Sequence, residues 1–323
     1  MERLMFVPLE IFEERYTKQW YYWFSESFKK ANIEIITVGD TEERPIKCGQ
    51  FLDVFSTNTY KLQQMQKIIS LIEEGFEGTI FFMDMWFPGI EAIGYVRDCA
   101  KKNIKIKGML HAGTWDEWDF LSQSGLGKWA KGMELSWIQL VDEVFVATDF
   151  HRDLICDYFN LQDKSKFTIV DFPVYRNDKL ASKYEKEDIV VFPHRLAKEK
   201  QPDKFETLKI KYALKYSNEP QPRFVRTKDV CKNKEEYYDF LAHAKVAFSS
   251  ALQETFGIAM LEALALGCIP VAPKRLSYVE TLREFPMYNN LDEAVDLIHD
   301  ALRNYKKPYC RHMDNVDNIV AKI

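Results

Sequence analysis

The stretch that most constrains this chain runs from Val246 to Ala272. Val246-Ala247-Phe248 is an apolar run of strand character, followed by the loop Ser249-Ser250-Ala251-Leu252-Gln253-Glu254-Thr255-Phe256-Gly257. Ile258, Leu261, Glu262, Ala265 and Leu266 then recur at helical spacing, Gly267 offers a stop, and Cys268-Ile269-Pro270-Val271-Ala272 returns as a second buried strand. Strand, loop, helix start and returning strand belong to a parallel α/β layer. The unpaired amides and positive dipole end of such a helix bind phosphate or diphosphate, and Gly257 lets a ligand approach the backbone. Glu254 falls in the loop just outside the helix. Glu262 lies about two turns inside it, so both can face one ligand from different depths. Carboxylates are poor partners for phosphate and good acceptors for sugar hydroxyls.

The chain before this stretch supplies the architecture. Across 1–172, strand-like runs at 4–7, 33–36, 79–82, 104–107, 144–147 and 168–170 alternate with helical patterns at 17–31, 60–74, 89–102, 127–140 and 149–159. That alternation implies an α/β fold with a mostly parallel, doubly wound sheet, whose ligands sit beyond the carboxyl ends of the strands. The segment Asp171-Phe172-Pro173-Val174-Tyr175-Arg176-Asn177-Asp178 reads as a linker, with Pro173 at the crossing, and a second domain opens with the strand Ile189-Val190-Val191-Phe192. The 323 residues suit two domains of about 150 each.

Composition excludes several classes. Cys48, Cys99, Cys156, Cys231, Cys268 and Cys310 show no paired spacing, which argues against a disulfide framework and a zinc site, and a cytoplasmic location is expected. No run approaches the roughly 20 apolar residues of a membrane span. Residues 1–172 carry 19 Lys and Arg against 27 Asp and Glu, a balance of −8, whereas the remainder carries 25 against 22, or +3, within a total of −5. The basic second half fits an anionic ligand, and the acidic first half gives no bulk attraction for a polyanion.

The stretch around Glu254 and Glu262, with Phe256-Gly257, Leu261-Glu262-Ala263, Gly267 and Pro270-Val271 in register, resembles the nucleotide-sugar motif of the GT-B glycosyltransferases of the large family-four type. The resemblance implies two Rossmann-like domains facing a central cleft. It places an acceptor domain at 1–172, joined by a C-terminal helix at about 306–323 that crosses back to it, and a nucleotide-sugar domain at 173–305. By the same resemblance Glu254 contacts the donor sugar, Thr255, Phe256, Gly257 and Ile258 line the sugar and diphosphate, and Glu262 takes ribose hydroxyls. The turn His194-Arg195-Leu196-Ala197-Lys198-Glu199-Lys200 resembles the family's Gly-Arg-Leu-x3-Lys turn. Arg195 offers a planar fork and Lys200 a compact cation for the leaving diphosphate, while His194 stands where the family has glycine and is expected to crowd the turn. His111, directly after a strand, sits where the family places a histidine beside the donor sugar.

The first-domain loops depart from the family pattern. The turn after the first strand, usually glycine-rich, reads Pro8-Leu9-Glu10-Ile11-Phe12-Glu13-Glu14-Arg15-Tyr16-Thr17, and Glu10, Arg15 and Tyr16 are acceptor candidates there. Asp84 and Trp86 in Asp84-Met85-Trp86-Phe87-Pro88-Gly89, and Trp115 and Asp116 after His111-Ala112-Gly113-Thr114, are further acceptor candidates, since a ring covers sugar C–H patches and a carboxylate takes hydroxyls. Most of the aromatic residues of 20–28 are expected in the core. There is no Asp-x-Asp, so no metal is suggested, and no cofactor is implied beyond a donor that is UDP- or GDP-linked.

The expected activity is transfer of a hexosyl or pentosyl group to an acceptor hydroxyl, with retention and without metal. Two other readings stay open: a phage-type glycosyltransferase acting on a modified DNA base, and a non-catalytic nucleotide-sugar-binding protein. The Lys- and Arg-rich run 198–234 reads as a solvated face and is the one stretch with the charge to grip nucleic acid.

Overall fold

A computed structural model describes residues 3–12, 15–43, 53–311 and 315–323. The chain divides into two compact units, one comprising Met1–Ala147, Arg152–Val170 and Asp314–Ile323, the other Thr148–His151 and Asp171–Met313.

The first unit alternates β1 (Arg3–Val7), α1 (Tyr16–Lys30), β2 (Glu34–Thr37), α2 (Val54–Glu73), β3 (Gly78–Phe82), α3 (Ile90–Cys99), β4 (Ile104–Met109), α4 (Phe120–Gln123), α5 (Gly127–Leu140), β5 (Glu143–Val146), α6 (Asp149–Phe159) and β6 (Phe167–Ile169). Its six strands lie in the order β2-β1-β3-β4-β5-β6, every pair parallel, with Met5 opposite Ile36 on one side and Ile80 on the other. A parallel sheet is covered on both faces, so its central strands β1 and β3 are apolar over most of their length, while the edge strand β2 is only half-buried and β4 alternates Ile with Lys. Met5, Val7, Ile80 and Phe82 join the cluster under α2, α3 and α5. On the opposite face Phe6 and Phe81 meet Phe24 at 5.9 and 5.4 Å between ring centres. Trp20, Phe24 and Phe28, one turn apart on α1, are buried, as helical spacing of aromatics predicts.

Helix α2 starts earlier than its apolar pattern implies. Asp53 accepts from the amides of Phe55 and Ser56 at 3.2 and 3.3 Å, and this cap brings the polar residues before Tyr60 into the helix. On α5 the carboxylate of Glu134, buried, accepts from the Thr114 amide at 2.9 Å, the Thr114 hydroxyl and the Trp86 indole N–H at 2.9 Å. One side chain thereby ties the loops after β3 and β4.

The second unit holds β7 (Glu187–Phe192), α7 (Pro202–Lys215), β8 (Arg223–Arg226), α8 (Thr227–Val230), α9 (Lys234–His243), β9 (Ala244–Phe248), α10 (Ile258–Ala265), β10 (Ile269–Pro273), α11 (Tyr278–Thr281), β11 (Met287–Tyr288) and α12 (Leu291–Arg303). Its sheet order, β11-β10-β9-β7-β8, is again all parallel. Counted from its own first strand, this is the winding of the first unit, with the first strand lying between the second and the third. A final helix, α13 (Asn315–Val320), packs on α1, where Ser27 donates a hydrogen bond to Asp317 and the Lys107 ammonium reaches the Lys322 carbonyl at 2.8 Å. Among the described residues no helix is long and apolar enough to cross a membrane, and Cys48 lies outside them.

Glu134→Ala would strand the Trp86 N–H and both Thr114 donors. It is expected to lower the unfolding free energy by about 3 kcal/mol in urea titrations, with Glu134→Gln, whose amide oxygen still accepts, losing markedly less. Equal losses in the two variants would contradict the tie.

Candidate functional site

Each sheet reverses its winding beside its first strand, between β1 and β3 in one unit and β7 and β9 in the other, and ligands bind beyond the strand ends at such a point. In the second unit the loops after β7 and β9 carry the motif residues, and they are stitched together. Leu252 N–H donates to the Glu199 carbonyl at 2.7 Å, and Ser250 Oγ to the carbonyls of Lys200 and Gln201, both at 3.1 Å. Lys200 Nζ lies 2.9 Å from Glu254 Oε1 and donates to the Gln253 carbonyl at 2.6 Å, with side-chain exposures of only 10% and 13% for the ion pair. Burial alone would raise the Glu254 carboxyl, but the Lys200 ammonium beside it outweighs this and holds the acid below the ordinary carboxylate range.

His194 does not crowd the turn. It is buried, its Nε2 2.9 Å from Ser249 Oγ, which in turn lies 2.7 Å from the Tyr278 hydroxyl. Burial, helped by the charges of Lys200 and Arg195 and opposed by Glu254, pushes its pKa down to about 4. The ring is therefore neutral near neutrality, and its Nδ1, 3.6 Å from Glu254, makes neither an ion pair nor a hydrogen bond. Ser249, His194 and Glu254 thus mimic a nucleophilic triad, but Ser249 has no exposed surface and no substrate can reach it. Its role is to brace the floor of the loop.

Gly257 precedes α10 with φ of +86°, and a Cβ there would meet Tyr278 Cε1 at 2.9 Å. The helix ladder opens with Met260 and Leu261 donating to the Gly257 carbonyl, so the Ile258 and Ala259 amides precede it at the positive end of the dipole. Glu262 is the fifth residue of the helix, on its second turn rather than two full turns in, because Thr255, Phe256 and Gly257 belong to the loop. It is buried and accepts from Tyr238 OH at 2.6 Å and from Lys234 Nζ at 3.1 and 3.3 Å. Phe256 turns its ring into the core, 5.8 Å from Phe172, and the Thr255 carbonyl accepts from Thr148 Oγ1 at 2.9 Å. Arg195 is clamped on Glu199 at 2.6 Å. The helix ends as Gly267 allows, with φ of +90° and Cys268 N–H donating back to the Ala263 carbonyl.

In the first unit the crevice gathers Glu10, Tyr16, Asp84, Trp86 and His111. Glu10, buried, accepts from Thr57 Oγ1 at 2.9 Å. His111 Nε2 lies 2.7 Å from the Met83 carbonyl, which can only accept, so the proton is on Nε2 and Nδ1 faces the Tyr16 hydroxyl at 3.4 Å. The ring stacks on Tyr16, and burial lowers its pKa. Asp84 accepts from the Trp86 amide at 3.1 Å, and the Trp86 ring stands edge-on to Trp137. Arg15 lies over the Phe12 ring at 5.1 Å, and Asp116 turns its own loop by accepting from the Trp118 amide at 2.9 Å. Trp115 departs from the expectation of a presented ring. It is 4% exposed and packs in the core beside Phe159, because Gly113 has no side chain and leaves room for the ring, which a Cβ there would meet at 1.9 Å. Lys61, unnoticed in the sequence, donates to the Trp86 carbonyl from α2, and burial lowers its pKa against the pull of Asp84 and Glu10. No local signal marks it, since its neighbours are far away in sequence.

No protein family model matches the chain. Among solved structures it is similar to the lipopolysaccharide outer core galactosyltransferase WaaB, with a TM-score of 0.63 at 11% identity over 99% of this chain and 100% of that one. It is also similar to sucrose-phosphate synthase from Thermosynechococcus elongatus, with a TM-score of 0.64 at 12% identity over 100% and 94%. The fold is that of the GT-B glycosyltransferases. The pneumococcal O-GlcNAc transferase GtfA, solved with UDP and GlcNAc, gives a TM-score of 0.60 at 10% identity over 99% and 95%. In sequence, 70 residues are 36% identical to the tRNA-queuosine alpha-mannosyltransferase of Drosophila melanogaster, covering 22% of this chain and 19% of that protein.

The pH dependence of this GT-B chain follows from His194. Its folded pKa lies below the ordinary 6.5, so the unfolded chain binds the extra proton, and stability is full above that value and falls as pH drops toward 4. The loss from this residue is about 2 kcal/mol between about pH 7 and about pH 5. Glu254, with a depressed pKa, adds its loss only at lower pH, and His111 contributes with the same sign as His194. Denaturant titrations of His194→Gln should show a distinctly shallower fall over this window, and an unchanged slope would contradict a buried neutral imidazole.

Proposed function

We propose that this chain is a glycosyltransferase that moves a sugar from a nucleotide-diphosphate sugar to an acceptor hydroxyl, with retention and without a metal ion. The observation that carries the reading is the second-unit site, where a left-handed Gly257 opens a helix whose start is flanked by the Lys200–Glu254 pair and the buried Glu262. Ile258 and Ala259 amides and Lys200 supply fixed positive charge for a diphosphate, with Arg195 joining once it leaves Glu199. Glu254 takes a hydroxyl of the donor sugar and Glu262 the ribose. The sugar C1–oxygen bond to the diphosphate breaks and the acceptor oxygen bonds C1 on the same face. The acceptor's proton passes to the departing phosphate oxygen, so no carboxylate nucleophile is required. His111, neutral and fixed by Met83, serves as an orienting hydrogen-bond partner for a sugar hydroxyl, and Glu10, Asp84 and Trp86 serve the acceptor. The cytoplasm, where nucleotide sugars are made, suits this activity.

The test is a thermal-shift panel of UDP- and GDP-sugars with the parent and Glu262→Ala, followed by NMR of the anomeric product. One donor should raise the melting temperature of the parent and fail to do so in the variant, by the mass action of a ligand that binds only the folded form. Turnover should persist in excess EDTA and the product should keep the donor's anomeric configuration; an inverted anomer or loss of rate with EDTA would sink those parts of the reading.

A second reading concerns the acceptor, a modified base in a nucleic acid, and two observations favour it. The Drosophila melanogaster relative is named for tRNA-queuosine. At the start of α5, the helix whose Glu134 holds the Thr114 loop, Trp129 is 62% exposed between the exposed Lys128 and Lys131, a stacking ring with flanking cations. Fluorescence anisotropy with single-stranded RNA and DNA oligonucleotides should show salt-dependent binding that weakens at least about fivefold in Trp129→Ala, stacking being worth about 1–3 kcal/mol per base. Binding that is absent at low salt, or unchanged in the variant, would leave a saccharide or small-molecule acceptor.

A further inference from the structure

Glu262 has a companion that neither the motif nor the fold assigns. Lys234, the first residue of α9, sits after the Asn233 cap, whose side chain accepts from the Glu236 amide at 2.8 Å. Its ammonium lies 3.1 and 3.3 Å from the two oxygens of Glu262 and 4.9 Å from the ring centres of both Tyr237 and Tyr238. Tyr238 is itself braced by a parallel stack on Tyr175 at 3.8 Å and donates its hydroxyl to Glu262 Oε1 at 2.6 Å. The carboxylate is 3% exposed and the lysine side chain 28%, so the solvent side of this acid is reached past the ammonium.

We propose that Lys234 is a specificity-determining residue that, with Glu262, selects the ribose of the donor by gripping its hydroxyls as a donor–acceptor pair. This rests on the glycosyltransferase reading of the same site. The chemistry follows from counting partners. Oε1 already accepts from Tyr238 and Lys234, whereas Oε2 accepts from Lys234 only at the longer distance, with the buried Tyr237 hydroxyl, which has no other partner among the described residues, beside the carboxylate. The ammonium has three N–H donors, of which the carboxylate needs one, and the tyrosine faces hold its charge without consuming the others. A hydroxyl is donor and acceptor at once. One ribose hydroxyl therefore donates to Oε2 and accepts from Nζ, and its neighbour on the ring takes a second ammonium proton. A carboxylate alone would accept equally from any alcohol. With the lysine added, the pair is complete only for a ligand that both gives and takes, and a sugar lacking its hydroxyls leaves a buried charge pair without those contacts.

Calorimetric titration of the intact chain with UDP and GDP, each against its 2′,3′-dideoxy form, tests this without any acceptor. The parent is expected to bind one ribonucleotide at least about tenfold more tightly than its dideoxy form, the preference of a site built for hydroxyls. In Lys234→Met the preference should shrink to within about threefold, with the loss falling on the ribonucleotide. If that variant does not fold, Lys234→Ala is scored in the same way. A folded variant that keeps the parent's preference overturns the role of Lys234 and leaves the donor site standing, as does a parent that binds both forms equally. A parent that binds neither UDP nor GDP overturns this inference together with the donor reading.

Discussion

The buried Lys200–Glu254 pair is the interaction on which the rest of the second-unit site depends. Taking two charges out of water costs several kcal/mol each, and their attraction recovers this only with close geometry and further hydrogen bonds. The chain supplies both. Lys200 is held at 2.9 Å from the acid and also donates to the Gln253 carbonyl, so one side chain from the β7 loop fixes two consecutive residues of the β9 loop. With the cation placed there, a second positive charge at His194 is unfavourable, which is one reason the imidazole is neutral and serves as a brace for Ser249 rather than as a phosphate ligand. The loop is thereby tied to the β7 loop ahead of Gly257, where the backbone turns left-handed and the helix begins.

Much of this was legible in the sequence because its signals are local. Glu254, Phe256, Gly257, Glu262 and Gly267 all lie on one strand–loop–helix unit, where spacing alone fixes which residues meet. The partners of the two acids were not so readable. Lys234 reaches Glu262 from a separate helix, and nothing near Lys234 in sequence marks it apart from the other lysines of that basic run. His194 was read through the glycine that a relative would have. Its surroundings come from Ser249 and Tyr278, distant in the chain, and burial of this kind leaves no periodicity behind.

The first unit shows the same division. The strands and the helices at 127–140 and 149–159 follow from apolar pattern, and α1 buries the aromatics at helical spacing. The start of α2 was missed because its first turn is polar and only the Asp53 cap announces it. Trp115 reads as an acceptor candidate because an exposed ring covers sugar C–H patches. Here the loop doubles back, and Glu134 on α5 holds Thr114 in the turn that buries the ring. Lys61, on the face of α2 toward Trp86, belongs to the crevice through contacts that only the fold creates.

The two sheets share one winding, yet their crevices differ in the chemistry they can serve. A dinucleotide-type turn after a first strand needs glycine for close backbone approach to a phosphate. After β7 the chain offers Arg195 and Lys200 within one short loop. After β1 it offers Pro8, which has no N–H to give, and Glu10, a carboxylate only 5% exposed that already accepts from Thr57. An anion brought to the β1 turn would meet that buried carboxylate, and Lys61 nearby is engaged by the Trp86 carbonyl. Under the proposed reading the diphosphate is therefore assigned to the second unit, where the Ile258 and Ala259 amides add to the two cations. The β1, β3 and β4 loops, with their acids, aromatic rings and a neutral imidazole, are suited to hydroxyl groups, where an oxygen that accepts matters more than a charge that attracts.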